Sequence, residues 1–258
     1  MTTHTRPKPN GTPTWMDIST PDLDAARHFY HAVFGWEYDI GGPEYGGYTT
    51  ARLGQRAVAG LGGPPPGVEL TKGEWAVYFA SDRLDHDLEH ALKIGATLAY
   101  PKMTMAPFGS MATCADPAGA TFSFWQADQH IGSQINDEVG AVAWYELYTP
   151  DIQRAGDFYT ALLGATAERM PGEMEYHILK HDDAAIAGML PIDPAWGAMP
   201  AQWVGYFLVA NVEQSVATVI ANGGQIRGAI EPGAFGRFAA LTDPQGAVFK
   251  IVENEAAA

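Results

Sequence analysis

The sequence contains little cysteine, little basic charge and no long hydrophobic run. Its single cysteine, Cys114, among 258 residues excludes an internal disulfide and any zinc or redox site built from a pair of cysteines. Fifteen basic against thirty acidic residues give a net charge of −15, which would repel a nucleic acid backbone. No stretch approaches the roughly 18 apolar residues of a membrane-spanning helix, and the opening MTTHTRPKPNG lacks an apolar signal core. We therefore expect a cytoplasmic protein that binds neither nucleic acid nor membrane.

Motifs of several common enzyme classes are also missing. The glycine-rich GLGG segment runs into three prolines rather than into a helix whose N-terminus could bind phosphate, so it predicts a turn. No serine lies in a G-x-S-x-G elbow. His86 and His90 spell H-x-x-E-H, which resembles an inverted zinc-protease motif. A helix that buries Leu84, Leu88 and Leu92 would place both imidazoles on its solvated side.

An internal repeat organises what is present. The segment WMDISTPDLDAARHFYHAVFG, residues 15–35, matches WYELYTPDIQRAGDFYTALLG, residues 144–164, without a gap. Two further pairs of matching segments follow in the same order in both halves: 75–95 with 203–223, and 108–122 with 235–249. This order predicts a tandem duplication.

The duplication predicts a first module over residues 11–128, a linker at 129–140 and a second module over 141–253. Each module begins with a strand that ends at T-P-D, where Thr20 could cap a helix and Pro21 suits its first position. A D-P-x-G turn precedes the last strand of each. The predicted class is α+β, with a mixed sheet covered by helices on one face and open to a ligand on the other.

These motifs carry a resemblance to a known family. T-P-D-[LI]-x5-F-Y-x3-[FL]-G at each module start, with D-P-x-G before each last strand, resembles the vicinal oxygen chelate superfamily of glyoxalases, bleomycin-resistance proteins and extradiol dioxygenases. The resemblance covers nearly the whole chain. It implies two tandem βαβββ-type modules, each a curled mixed sheet with helices on its outer face, that form a cup. In the metalloenzymes of this superfamily the cup holds a divalent metal.

The same resemblance implies where the metal ligands would stand. The first ligand position falls on Trp15 in the first module and on Trp144 in the second. The middle position falls at or beside Ala76 and Val204, and the last falls on Ser123 and Lys250. An indole is no metal ligand, and neither serine nor lysine offers the charged oxygen that a divalent ion prefers. We therefore expect no metal and no other cofactor.

Strand alternation predicts the side chains that face the cup, since residues two apart share a face. Trp15 then points with Asp17, and Trp144 with Glu146. The other expected ligand-binding residues lie on neighbouring strands and before the first D-P turn: Tyr78, Met103, Met105, Phe108, Met111, Ser123, Trp125 and Tyr206. Aromatic and thioether groups around one carboxylate suit a flat, oxygenated molecule. The tryptophans and methionines could equally fill the core, and either carboxylate could be structural.

Asp17 is the first candidate for acid/base catalysis, and Glu146 the second. Lys250 could pair with Glu146 and hold it ionised, whereas Ser123 replaces the lysine in the first module. The leading hypothesis is a metal-independent lyase that dehydrates or cyclises a small aromatic or polyketide-like metabolite. The alternatives are a non-catalytic drug-sequestering or metabolite-binding protein, and a metal-dependent dioxygenase, hydroxylase or glyoxalase-type lyase. Either a monomer or a homodimer is compatible with the sequence.

Overall fold

The computed structural model describes residues 2–64, 68–233 and 236–254. In chain order the first half contains β1 (Thr2–Thr3), β2 (Pro13–Ser19), α1 (Leu23–Phe34), β3 (Glu37–Ile40), β4 (Thr49–Leu53), β5 (Arg56–Gly62), β6 (Glu74–Ala80), α2 (Leu84–Lys93), β7 (Thr97–Met105), β8 (Gly109–Ala115) and β9 (Thr121–Ala127). Then follow β10 (Ile135–Asn136), β11 (Val142–Thr149), α3 (Ile152–Leu163), β12 (Thr166–Arg169), β13 (His177–His181), β14 (Ala184–Pro191), β15 (Gln202–Leu208), α4 (Val212–Ala221), β16 (Gln225–Ile226), β17 (Glu231–Gly233), β18 (Gly236–Thr242) and β19 (Val248–Glu253). Phe235, the repeat counterpart of Phe108, lies outside the described residues.

Each half of the chain forms one mixed sheet with the same topology. The first has the strand order β3-β4-β5-β2-β6-β9-β8-β7, and the second β12-β13-β14-β11-β15-β19-β18-β16, with β17 beside β18. In the first sheet, β2 runs parallel to β5 and antiparallel to β6. In the second, β11 has the same relation to β14 and β15. The predicted α+β fold of two tandem modules is confirmed.

The first helix of each module begins at an aspartate cap. The Asp22 side chain accepts a hydrogen bond from the backbone N–H of Ala25, and Gly35 ends α1 in the left-handed conformation, with φ 70°. Asp151 caps α3 in the same way. The expectation that Thr20 caps α1 was wrong, because its hydroxyl donates instead to Gln245 of the second module.

The two modules share one core through a reciprocal contact. Tyr30 on α1 donates to Asp243 of the second D-P-x-G turn at 3.1 Å, and Tyr159 on α3 donates to Asp116 of the first at 3.0 Å. Both tyrosines are fully buried in a cluster drawn from both halves of the chain. The helix-covered faces of the sheets therefore pack together, and separate small clusters line the opposite faces.

Helix α2 differs from the expectation at one position. Leu84 is buried and Leu88 packs against the core, but Leu92 is 41% exposed, and Ala91 is the buried residue in the last turn. The four helices of the described residues have ten or twelve residues, and none is long and apolar enough to span a membrane.

Candidate functional site

The centre of the first cup is a carboxylate held by two tyrosines. Tyr48 and Tyr78 each donate a hydrogen bond to Asp17 Oδ2 at 3.0 Å. The indole N–H of Trp15 donates to the Tyr48 hydroxyl, also at 3.0 Å. No ion pair to Asp17 and no hydrogen bond to its Oδ1 occur among residues 2–64, 68–233 and 236–254. One carboxylate oxygen therefore remains available to a ligand.

The pKa of Asp17 is raised from 3.8 to about 6. Burial is the main cause, because it disfavours the charged form, and the hydrogen bonds from Tyr48 and Tyr78 oppose it. The pKa values of both tyrosines are raised well above their usual value, first by burial and then by the nearby Asp17 charge. Near neutral pH the tyrosines are thus hydrogen-bond donors, and Asp17 is the group that can exchange a proton.

The second cup repeats this arrangement. The Trp144 indole donates to the Tyr176 hydroxyl at 2.8 Å, and Tyr176 donates to Glu146 Oε1 at 3.1 Å. Tyr206, the counterpart of Tyr78, donates to Glu146 Oε2. In both modules, therefore, an indole donates a hydrogen bond to a tyrosine hydroxyl, and that tyrosine donates to a carboxylate. A second tyrosine donates to the same carboxylate.

Lys250 distinguishes the second cup from the first. Its ammonium nitrogen lies 3.3 Å from Glu146 Oε2 and 2.7 Å from the Tyr206 hydroxyl, and it also donates to Tyr148. The rings of Tyr148, Tyr206 and Phe238 surround it at 4.7 to 4.9 Å. Burial lowers the pKa of Lys250, and the Glu146 charge opposes that shift. The expected pairing of Glu146 with Lys250 is present.

Tyr48 and Tyr176 were not among the predicted site residues, although a repeated signal marks both. The glycine of AVAG, Gly60, pairs with Asp17 across the sheet, and that of AIAG, Gly188, pairs with Glu146. A methyl group on either glycine would lie 1.9 Å from the hydroxyl of the tyrosine in its module. Each tyrosine precedes its glycine by the same number of residues, so the pair was visible in the repeat.

Most of the expected ligand-binding residues of the first module come together. Trp15, Tyr78 and Trp125 form a buried cluster against which Met105 and Met111 pack. Ser123 is buried beside Tyr78 in the neighbouring strand, and its hydroxyl is hydrogen-bonded to Thr113 at 2.8 Å.

Two expected residues, Met103 and Phe108, do not belong to this cluster. Met103 is 47% exposed and outside it. Phe108 is 39% exposed and contacts the Tyr45 ring at 5.3 Å between centroids. In the second module Trp144 packs against the buried cluster that contains Tyr206.

The residues at the traced ligand positions do not fit a divalent metal. Trp15 and Trp144 direct their indoles to tyrosines, Ser123 is bonded to Thr113, and Lys250 is a cation. Among the described residues, no group of three or more His, Cys, Asp or Glu side chains could hold a metal ion. The described part of each cup thus offers too few carboxylate and imidazole side chains to hold such a metal.

Two family models match the chain, one over each module. The Glyoxalase-like domain model covers residues 15–125, and the model of the Glyoxalase/Bleomycin resistance protein/Dioxygenase superfamily covers residues 141–251. The chain belongs to this superfamily. Among curated relatives, CFP32 of Mycobacterium tuberculosis, provisionally named a glyoxylase, is 36% identical over 251 residues, which are 94% of this chain and 95% of CFP32. The anthracycline biosynthesis protein DnrV of Streptomyces peucetius is 32% identical over 260 residues, covering 94% of this chain and 93% of DnrV.

Solved structures of the superfamily share the fold. The Mn(II)-bound glyoxalase from Novosphingobium aromaticivorans superposes with a TM-score of 0.66 at 16% identity, covering 95% of this chain and 82% of the glyoxalase. The 2,3-dioxygenase LapB from Pseudomonas sp. KL28 gives a TM-score of 0.64 at 15% identity, covering 98% of this chain and 93% of LapB. At these identities the likeness concerns the superfamily fold alone.

Proposed function

We propose that this protein is a metal-independent lyase that dehydrates or cyclises a small aromatic, polyketide-like metabolite in its first cup, with Asp17 as the general acid and base. The observation that carries the proposal is the buried Asp17 carboxyl, whose pKa of about 6 suits proton transfer near neutral pH. The aromatic and thioether cluster around it favours a flat ring system. The relation to DnrV, an anthracycline biosynthesis protein, supports the polyketide class.

The reaction needs only one carboxylate. For a β-hydroxy ketone, the ionised Asp17 takes the proton from the carbon next to the carbonyl and leaves an enolate. The same carboxyl then returns that proton to the hydroxyl group, which departs as water, and the enolate electrons form the new double bond. Tyr48 and Tyr78 hold Oδ2 by hydrogen bonds, so Oδ1 faces the proton that moves.

Glu146 is the weaker candidate. Its carboxylate is already engaged by the Lys250 ammonium group, which lies 3.3 Å from Glu146 Oε2. Three tyrosine hydroxyls also donate to this carboxylate. We therefore assign Glu146 and Lys250 to the stability of the second module.

Incubation with a panel of hydroxylated aromatic polyketides in D2O tests the proposal. Mass spectrometry should detect loss of water, or deuterium incorporated next to a ketone. Asp17→Asn should lower the rate about 100-fold or more with little change in affinity, whereas Glu146→Gln should retain it. Equal rates for the wild type and Asp17→Asn would refute the assignment.

A metabolite-binding protein is the second candidate function. The apolar lining of the first cup would by itself bind a flat ligand without changing it. In that case the panel would yield a compound that is retained by the protein and recovered unchanged, with no deuterium exchange above the rate in buffer.

A further inference from the structure

A cavity of about 240 Å³ opens in the second module, at the hairpin of β12 and β13. Residues directly opposite each other on adjacent strands share a face of the sheet. Ile178 of the lining lies across from Gly188, which lies across from Glu146. The cavity is therefore on the cup-facing side of the second sheet. The residues that matter below are Met170, Glu173, Met174, Tyr176 and Ile178.

The lining is mainly apolar and partly open to solvent. Ile178 is buried, whereas the Met174 side chain is 63% exposed. A large apolar side chain gains free energy when a partner covers it. Methionine is common on surfaces that bind small apolar molecules, because its flexible thioether adapts to the shape of the ligand and contacts aromatic rings favourably. An exposed methionine at the edge of a cavity favours an aromatic occupant.

The first module replaces the three aliphatic side chains of this lining. Counted from the glycine that faces each carboxylate, it has two glycines and a threonine where the second module has two methionines and an isoleucine: Gly42, Gly46 and Thr50. The threonine pairs with that glycine as the isoleucine does in the second module. The apolar lining is therefore an addition to the shared fold and not a requirement of it.

Glu173 gives the cavity a negative charge. Within the described ranges of the chain, no hydrogen bond or ion pair engages its side chain, and none of the described lining residues is Lys, Arg or His. The Tyr176 hydroxyl is already bonded to Glu146 and to the Trp144 indole. The charge at this site therefore attracts a cation and repels an anion.

We propose that this cavity binds a flat aromatic amine of one or two fused rings, with the rings against Met174 and Tyr176 and the ammonium group beside Glu173. Its volume of about 240 Å³ lies below the roughly 300 Å³ at which sites for drug-sized ligands begin, so the ring system must be small. Tyrosine and methionine both make favourable contacts with aromatic rings. The site requires no chemistry and does not involve Asp17, so it goes beyond the proposed function.

NMR of the full chain with carbon-13 in the methionine methyl groups tests this site, with 1-naphthylmethylamine as the probe. The ring current of the bound probe should shift the methyl signals of Met170 and Met174. It should leave unchanged those of Met16 in the core and Met111 at the first cup. Single methionine-to-leucine substitutions assign the signals. The anion of 1-naphthoic acid, which carries the same ring system, should bind several-fold more weakly.

Two pairs of variants separate the apolar contact from the charge. Met174→Gln should weaken binding of the amine about fivefold, whereas Ile220→Gln, at another exposed apolar position, should not. Glu173→Gln should weaken binding of the amine about two- to threefold and should not weaken binding of the acid. Glu175→Gln should have a smaller effect, because that carboxylate lies 3.7 Å from the His177 imidazole.

Several results would overturn the inference. These are methyl shifts confined to Met111, no shift at millimolar probe, and unchanged affinity in Met174→Gln. Equal affinity of the wild type for the amine and the acid would overturn the assignment of a cationic ligand. Each of these results leaves the role of Asp17 to the deuterium experiment, which measures a different module, so the two proposals fail separately.

Discussion

Gly60 lies directly across from Asp17 on the neighbouring parallel strand, and its missing side chain is what allows the Tyr48 hydroxyl to reach the carboxylate. A methyl group at Gly60 would stand 1.9 Å from that hydroxyl and 2.8 Å from the Asp17 Cβ. Gly188 makes the same room for Tyr176 beside Glu146. The duplication thus includes the site as well as the fold, since both copies carry a glycine, a tyrosine and a carboxylate in the same arrangement.

Gly60→Ala should therefore disturb the first cup. The new methyl group must push Tyr48 away from Asp17, and such overpacking lowers the free energy of unfolding by about 1 to 3 kcal/mol. Loss of the Tyr48 hydrogen bond should also raise the pKa of Asp17 further, which an NMR titration of the Asp17 carboxyl carbon measures. Tyr48→Phe should raise this pKa in the same direction.

Gly62→Ala is the matched control, because a methyl group there would lie 3.3 Å from the Tyr48 ring and needs only a small adjustment. This substitution should leave the pKa of Asp17 at about 6. An equal effect of the two alanine substitutions would show that the close approach of Tyr48 to Gly60 is not what positions the hydroxyl.

The sequence predicts the fold well because the signals of the fold are local and occur twice. The helix motif, its final glycine and the D-P-x-G turn each specify a short piece of backbone, and Asp17 follows from strand alternation. Tyr48 and Tyr176 come instead from irregular segments, whose positions depend on the finished tertiary structure. The choice of Asp22 over Thr20 as the helix cap has the same origin, since Gln245 of the other module engages Thr20.

The side chains at the expected metal-ligand positions predict that divalent metals do not bind in either cup. The purified protein should carry no stoichiometric Mn, Fe, Ni or Zn, and neither a strong chelator nor added metal should change its Tm. A ligand that binds only the folded state raises the Tm, so an increase with one metal, reversed by chelation, would contradict this prediction. Turnover on an identified substrate should likewise survive chelation.

Removal of Lys250 should destabilise the second module more than removal of the whole pair. The Lys250 and Glu146 side chains are only 12% and 6% exposed, so Lys250→Met leaves a buried carboxylate without its cation and should cost about 3 to 5 kcal/mol of unfolding free energy. The double variant Lys250→Met/Glu146→Gln should lose less than Lys250→Met alone, and therefore much less than the sum of the two single losses. Urea denaturation of the four proteins measures this coupling.

The Lys180–Glu168 pair is the matched control for that cycle, because its side chains are 30% and 57% exposed. Solvent screens such a pair, and its coupling should stay below about 1 kcal/mol. Similar coupling energies for the two pairs would mean that Lys250 and Glu146 contribute no more than a surface ion pair.

Asp17→Asn should stabilise the protein at high pH and not at low pH. The folded-state pKa of Asp17 is raised from 3.8 to about 6, so the contribution of this carboxyl is fully present below about pH 4 and is lost as the pH rises through about 6. That rise in pKa corresponds to about 3 kcal/mol. Asparagine cannot titrate, so the variant does not lose this contribution as the pH rises. The unfolding free energy of the variant minus that of the wild type should therefore increase by about 3 kcal/mol between pH 4 and pH 8.

Urea denaturation at several pH values measures this difference, and other titrating groups cancel because both proteins carry them. Asp128→Asn, at an exposed position, serves as the control, and the pH-dependent difference for Asp17→Asn should exceed the one measured for it. A difference for Asp17→Asn that is no larger would mean that this carboxyl titrates as an ordinary solvated aspartate. It would then be ionised throughout the neutral range, and too weak a base to take a proton from a carbon next to a ketone.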